Sequence, residues 1–169
     1  ETDEPLRIVV TGEEDEGYNP SSASTATRTD TPLRDIPQSI QVVPQQVLED
    51  RNVRNLTEAV ETVSGVVDGG NFYGAPSGGR ILRGFISGFN GDTSSFRNGF
   101  RDAGYGDLVG IGTVERVEVL KGPGSVLFGQ VEPGGIINVI TRQPLDEPYY
   151  EAALEVGNYG FFQPSVDLS

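Results

Sequence analysis

Apolar positions along this chain come in short bursts separated by glycine, and their period changes from region to region. Residues 39–43 (SIQVV) alternate like a half-buried strand, and Pro44 can open a short helix through Leu48 from the N1 position. Leu56, Ala59, Val60 and Val63 then fall at i, i+3, i+4 and i+7, one face of a helix. Asn55, with Glu58 three residues on, makes a capping-box-like start, and Gly65 stops the helix. These positions are core, where truncation to Ala costs about 2–4 kcal/mol.

Residues 115–144 (ERVEVLKGPGSVLFGQVEPGGIINVITRQP) carry the densest pattern. A strand containing Val117, Val119 and Leu120 ends at Lys121, Gly122 and Pro123. A one-turn apolar segment, residues 125–128, closes at Gly129, and a second strand occupies residues 136–140. The stretch reads as strand, tight turn, short helix, glycine turn, strand, and nothing in it is catalytic.

Three glycine-rich connections precede it: residues 68–79, 86–95 and 100–112. The first leads into a strand-like run at residues 80–85, the second into residues 96–99. Each carries aromatics among its glycines: Phe72 and Tyr73, then Phe89, then Phe100 and Tyr105. Loops held by a rigid scaffold are where binding residues concentrate. The alternative is a set of turns whose aromatics fold back into the core.

The two ends differ from the middle. Residues 149–169 alternate apolar and polar positions, with Tyr159, Phe161 and Phe162 at one end. That is the pattern of a transmembrane β-strand with its aromatic girdle. One strand cannot close a barrel, and lipid tolerates no open sheet edge. At the other end, Leu6, Arg7, Ile8, Val9, Val10, Thr11 and Gly12 form a short β-prone run between acidic clusters. Residues 17–31 hold mostly Ser, Thr, Asn and Ala, too little apolar surface to order themselves, so order is expected from Pro32. The run at 6–12 is then either a frayed strand or a docking peptide that adds to a partner's sheet edge. Slack on both sides favours docking.

Composition narrows the function. The 169 residues suit one domain with loose ends, and 23 Gly with 11 Pro demand many turns. A net charge of −13 with no basic stripe argues against nucleic acid. Seven acidic residues against one Arg fall in residues 1–16, so much of the charge sits on the N-terminal arm. Eleven of the twelve basic residues are Arg, which suits fixed ion pairs better than a solvated lysine surface. With no Cys and no His, zinc sites, thiol chemistry and His-based acid–base catalysis are out of reach. The chain starts at Glu1 with no apolar leader and has no run of the ~20 apolar residues a membrane helix needs. The expectation is a processed or excised piece, soluble by itself.

Taken together, several strings resemble the plug of TonB-dependent outer-membrane receptors of the siderophore (ferrichrome) type. Residues 8–12 (IVVTG) resemble a TonB box, and residues 35–43 (DIPQSIQVV) resemble the opening plug strand. Residues 55–66 (NLTEAVETVSGV) resemble the helix that follows, and residues 81–85 (ILRGF) the next strand. The 115–144 stretch completes the set, in family order.

The resemblance implies an α/β (α+β) plug: a small mixed sheet, short flanking helices, glycine-rich apical loops and a disordered N-terminal arm. It implies a TonB box and linker in residues 1–30, a plug in 31–146 and the first, truncated strand of a transmembrane barrel in 147–169. The plug would lodge in its own 22-stranded barrel in the outer membrane, the rest of that barrel lying outside these 169 residues. The box would hang in the periplasm and pair with the C-terminal domain of TonB. Ferric siderophore would be the transported ligand rather than a resident cofactor, and no metal ligand is expected. By position, Phe72, Tyr73, Phe89, Asn90 and Tyr105 would face it, with Arg101 as a charged contact. Aromatic faces suit a bulky, iron-saturated chelate. Arg83 and Lys121 match plug positions that pair with barrel-wall glutamates, as buried charges must. No signalling domain is expected ahead of the box, and the acidic run at residues 13–16 is a solvated segment or an attraction for a basic partner face.

Other readings fare worse. Gly124 and Gly129 have P-loop spacing, but Gln130 stands where Lys must be. Asp92, Asp102 and Asp107 match no calcium loop. An enzyme is not expected. Cobalamin, haem or sugar receptors, and a free-standing periplasmic interaction module with the plug fold, remain as alternatives.

Overall fold

The computed structural model describes residues 17–70, 79–87, 93–102, 111–144 and 148–168. In chain order its first elements are β1 (Ser22–Ala23), β2 (Thr31–Pro32), β3 (Ser39–Pro44), α1 (Gln45–Asp50), α2 (Leu56–Val60) and β4 (Val66–Asp68). Then come β5 (Arg80–Leu82), β6 (Phe85–Ser87), β7 (Ser95–Arg97), β8 (Phe100–Arg101), β9 (Val114–Lys121) and α3 (Ser125–Phe128). β10 (Gly135–Thr141), β11 (Tyr150–Val156) and β12 (Phe162–Leu168) finish the chain.

The centre is a mixed five-stranded sheet in the order β3-β9-β10-β7-β8. Only β10 and β7 run parallel; the other neighbours are antiparallel. The strand, turn, short helix and strand expected over residues 115–144 are β9, α3 and β10. Alternation along β9 and β10 splits their side chains between two cores, as a pleat requires. Val117, Val119, Ile137 and Val139 join Leu48, Val53, Leu56, Val60 and Val63 from the α1 and α2 side. Leu120 and Ile136 point the other way, to Ala23, Ala26, Ile36, Phe96 and Phe128. A sheet apolar on both faces must be covered on both.

That second face corrects the expectation of disorder up to residue 30. Residues 17–30 are ordered, because they supply the cover. β1 pairs β2, and Ala23 and Thr25 are almost wholly buried. Their small side chains compensate for little apolar area by close approach, and polar bonds do the rest. Glu118, fully buried in mid-sheet, accepts from the backbone N–H of Ser24 (3.0 Å) and Thr25 (2.7 Å) and from the Thr25 hydroxyl. Arg116 Nε donates to the same carboxylate at 2.8 Å, and Asn138 Nδ2 donates to Thr25 Oγ1 at 2.9 Å. Burial alone would lower the Arg116 pKa, but Glu118 and Glu115 beside it raise it.

Smaller differences have equally local causes. Pro44 ends β3 and is the N-cap of α1 rather than its first helical residue. Asn55 caps α2 as expected, accepting from the Glu58 N–H at 2.9 Å. The Glu58 carboxylate reaches back one residue further than in the usual box, to the Arg54 N–H at 2.8 Å. The single strand expected over residues 80–85 is a hairpin, β5 and β6. Arg83 (φ 49°) and Gly84 (φ 89°) both take left-handed backbone, the geometry of a two-residue type I′ turn.

Residues 149–168 also differ from expectation. They form two antiparallel strands rather than one, joined by a turn in which Tyr159 has φ 60°. Register places Tyr150, Ala152, Leu154 and Val156 opposite Leu168, Val166, Pro164 and Phe162, an entirely apolar face. Glu151, Ala153 and Glu155 oppose Asp167, Ser165 and Gln163 on the other. The apolar face is exposed, with Leu154 at 58% and Val156 at 73%.

Candidate functional site

The three glycine-rich connections spring from one rim. Asp68, Arg80 and Ser87 stand in register across β4, β5 and β6, so the first two connections leave the same end of that small sheet. Ser87 Oγ lies 3.4 Å from Ser95 Oγ, where the second connection returns. The Asp102 N–H donates to Ser95 O at 3.0 Å, where the third departs. Thus the roots of all three meet, although they lie far apart in sequence. A cavity of about 230 Å³ beside this rim is lined by Glu58, Glu61, Asp68 and Arg80 among others. It is smaller than the ~300–1,000 Å³ of ordinary small-molecule sites.

Of the residues expected to face a ligand, Phe72, Tyr73, Phe89, Asn90 and Tyr105 lie outside the described residues, as do Leu6, Arg7, Ile8, Val9, Val10, Thr11 and Gly12. Arg101 is described, on β8. Its Nη2 donates to Gln130 O at 2.6 Å and its guanidinium lies 5.6 Å from the Phe96 ring centre. Two of its capacities are therefore spent on the scaffold.

Arg83 and Lys121, 38 positions apart in the numbering, are brought together. The β5–β6 hairpin can settle against the start of β10 because Gly134 has no side chain: a Cβ there would lie 2.2 Å from Leu82 O. The Arg83 guanidinium then rests on Gly122, 3.4 Å from where that residue's Cβ would be. Lys121 Nζ donates to Ser64 Oγ (2.7 Å) and Gln41 Oε1 (3.1 Å). Its pKa is lowered, first by desolvation and then by the positive charge of Arg83. Among the described residues neither cation forms an ion pair. Two like charges are thus held together with no carboxylate between them among the described residues.

A second charged seam was not anticipated. The polar face of the β11–β12 hairpin meets the plug through Arg142, whose Nη1 bonds Asp167 (3.0 Å) and whose Nη2 bonds Glu49 (3.0 Å). Arg54 lies 3.8 Å from Glu155 and stacks 4.4 Å above the Phe161 ring. Alternation in residues 150–156 signalled two faces. It could not say that one of them carries acids in register with plug arginines.

The result is a small sheet-and-helix domain docked on the polar side of a hairpin whose other side is apolar, with loop roots gathered at one rim. The chain belongs to the TonB-dependent receptor plug domain family, whose model matches residues 32–136. It is 35% identical to a metal-pseudopaline receptor of Pseudomonas aeruginosa over 154 residues, covering 91% of this chain and 21% of that protein. It is 32% identical to the ferrichrome outer membrane transporter and phage receptor of Escherichia coli, covering 87% of this chain and 20% of that protein. Among solved structures it resembles the siderophore receptor PiuA of Acinetobacter baumannii, with a TM-score of 0.78 and 27% identity over 92% of this chain and 22% of the other. The P. aeruginosa ferripyoverdine receptor bound to ferripyoverdine gives 0.76 and 28%, over 89% of this chain and 20% of that one. The chain thus spans about a fifth of the length of the relatives it matches.

Proposed function

We propose that this chain is the gate of an outer-membrane importer of ferric siderophores, energised by TonB through residues 6–12. The observation that carries the reading is the convergence of three separate glycine-rich connections on one rim. Loops sharing one root can present Phe72, Tyr73, Phe89, Asn90 and Tyr105 to a single large ligand, with Arg101 at the edge. The names of the relatives support the ligand class, since the ferrichrome transporter and the ferripyoverdine receptor both handle iron chelates. The metal-pseudopaline receptor widens that class to other metal chelates.

In this reading the plug sits inside a 22-stranded barrel whose first two strands are β11 and β12, and whose wall supplies carboxylates to Arg83 and Lys121. The plug domain then spans residues 31–146 together with the covering segment 17–30, and 147–169 begin the barrel. Bound chelate alters the loops, the strand at residues 6–12 becomes available in the periplasm, and TonB captures it by strand addition. The gate opens when that partner pulls.

The test is deletion of residues 6–12 in the full-length receptor, with binding and uptake of a radioiron-loaded siderophore measured separately. Binding retained with uptake lost is the expected result. Intact uptake overturns the assignment of the energy-coupling strand, and binding of cobalamin or haem in place of iron chelates overturns the ligand class.

A further inference from the structure

Glu118 is a buried carboxylate that neither the rim nor the wall contacts use. It stands in the middle of β9, the central strand beside β3 and β10, at a position where the apolar pattern calls for another aliphatic side chain. Most of the bonds to its two oxygens come from residues 24 and 25, with one more from Arg116 on its own strand. Oε2 accepts from Ser24 N, Thr25 N and Thr25 Oγ1; Oε1 accepts from Ser24 Oγ (3.4 Å) and from Arg116 Nε. Asn138 on β10 adds its bond to Thr25 Oγ1.

Residues 17–32 have few other ties to the sheet. The β1–β2 ladder holds two residue pairs and closes the segment on itself, as does the bond from Leu33 N to Ser21 O. Tyr18 bonds Asp50 at the surface. Arg28 bonds Leu127 O at 3.0 Å and lies over the Phe128 ring. The segment's buried apolar side chains are Ala23 and Ala26, whereas α1 and α2 cover the other face with Leu48, Leu56 and Val60. Apolar burial that small leaves a segment dependent on its polar bonds, and such segments open as units below the global unfolding energy. Opening also returns the Glu118 carboxylate to water, which offsets part of what is lost.

We propose that Glu118 is a positioning residue, a latch holding residues 17–32 on the sheet, whose opening lengthens the tether between gate and partner-binding strand. The proposal rests on the reading of residues 6–12 as that strand. Sixteen released residues reach roughly 50 Å when extended. The strand can therefore travel that far toward its partner while every strand of the central sheet stays paired.

The first test is amide hydrogen exchange in the full-length receptor, wild type against Glu118→Ala. Loss of the shared acceptor raises exchange in residues 17–32 by on the order of tenfold to a hundredfold, with β9 and β10 still protected. Unchanged exchange there, or loss of protection across the whole sheet, overturns the latch. The second test closes it covalently. Thr25→Cys with Asn138→Cys replaces a side-chain contact of 2.9 Å in a chain with no other cysteine. Oxidised receptor keeps siderophore binding, loses at least about tenfold in uptake, and recovers on reduction. Full uptake in the cross-linked form overturns the proposal. A wild-type receptor without uptake strikes the import reading instead, and the exchange experiment then decides the latch by itself.

Discussion

The central sheet and the C-terminal hairpin use the same β-alternation to opposite ends. In the sheet both faces are covered by the chain itself, α1 and α2 on one side and residues 21–36 with α3 on the other. In the hairpin the polar face is turned toward the plug and the apolar face is left bare. Water rewards the first arrangement and penalises the second, so the bare face calls for a cover that the described residues do not supply. Two neighbouring regions of one chain thus use one pattern in two ways, a covered interior and an uncovered apolar face.

The largest effect that probes this contrast comes from the sheet. Ile137→Ala, at a wholly buried position between β9 and β7, costs about 2–5 kcal/mol in denaturant unfolding of the receptor's plug. A cost under ~0.5 kcal/mol, the usual scale of surface sites, breaks the claim that both faces are core. Next comes Leu154→Arg on the bare face. Its cost in a bilayer is about 2–4 kcal/mol near the midplane. Measured folding into vesicles with no such penalty denies that this face meets lipid.

The seam between the regions has a smaller energy. Arg142 and Asp167 are each about a third exposed, so a double-mutant cycle with Arg142→Gln and Asp167→Asn yields a coupling near 0.2–1 kcal/mol. Zero coupling makes the pair incidental to docking. The smallest effect is a titration. Lys121, the only lysine, has its pKa lowered below 10.5 by desolvation and by Arg83. The unfolded chain then binds more protons in the window just below 10.5, so this group's contribution to stability rises with pH there and is lost as pH falls. A carboxylate from the wall reverses the sign. NMR of the lysine side chain, with and without the barrel strands, reads the direction, and no difference between the two sinks the pairing.

Much of the plug was legible because its determinants are local. Asn55 with Glu58 announced the α2 cap, and the apolar run of β9, the glycine turn at Gly129 and the run of β10 announced their own order. Arg83 and Gly84 could have announced a hairpin, but residues 80–85 read equally well as one strand until both took left-handed backbone. The Ser- and Thr-rich stretch at 17–31 misled for a related reason. Hydropathy measures what a segment can bury by itself, whereas this one is ordered by acceptors on Glu118, some ninety residues away. The sign of that need was present: a carboxylate set between Val117 and Val119 in the buried middle of a strand must find donors.

By itself, then, the sequence determined β3, β9, α3 and β10, the cap of α2, the alternation in residues 149–168 and the family, all set by neighbours within a few residues. Only the tertiary structure decided which distant residues meet. It gathered Asp68, Arg80, Ser87, Ser95 and Asp102 into one rim. It set Arg83 beside Lys121 and joined Glu118 to Thr25 and Arg142 to Asp167. Charge and hydrogen-bond partners carry no periodicity, so no local pattern encodes them. They follow from strand order and register, which the whole chain settles at once.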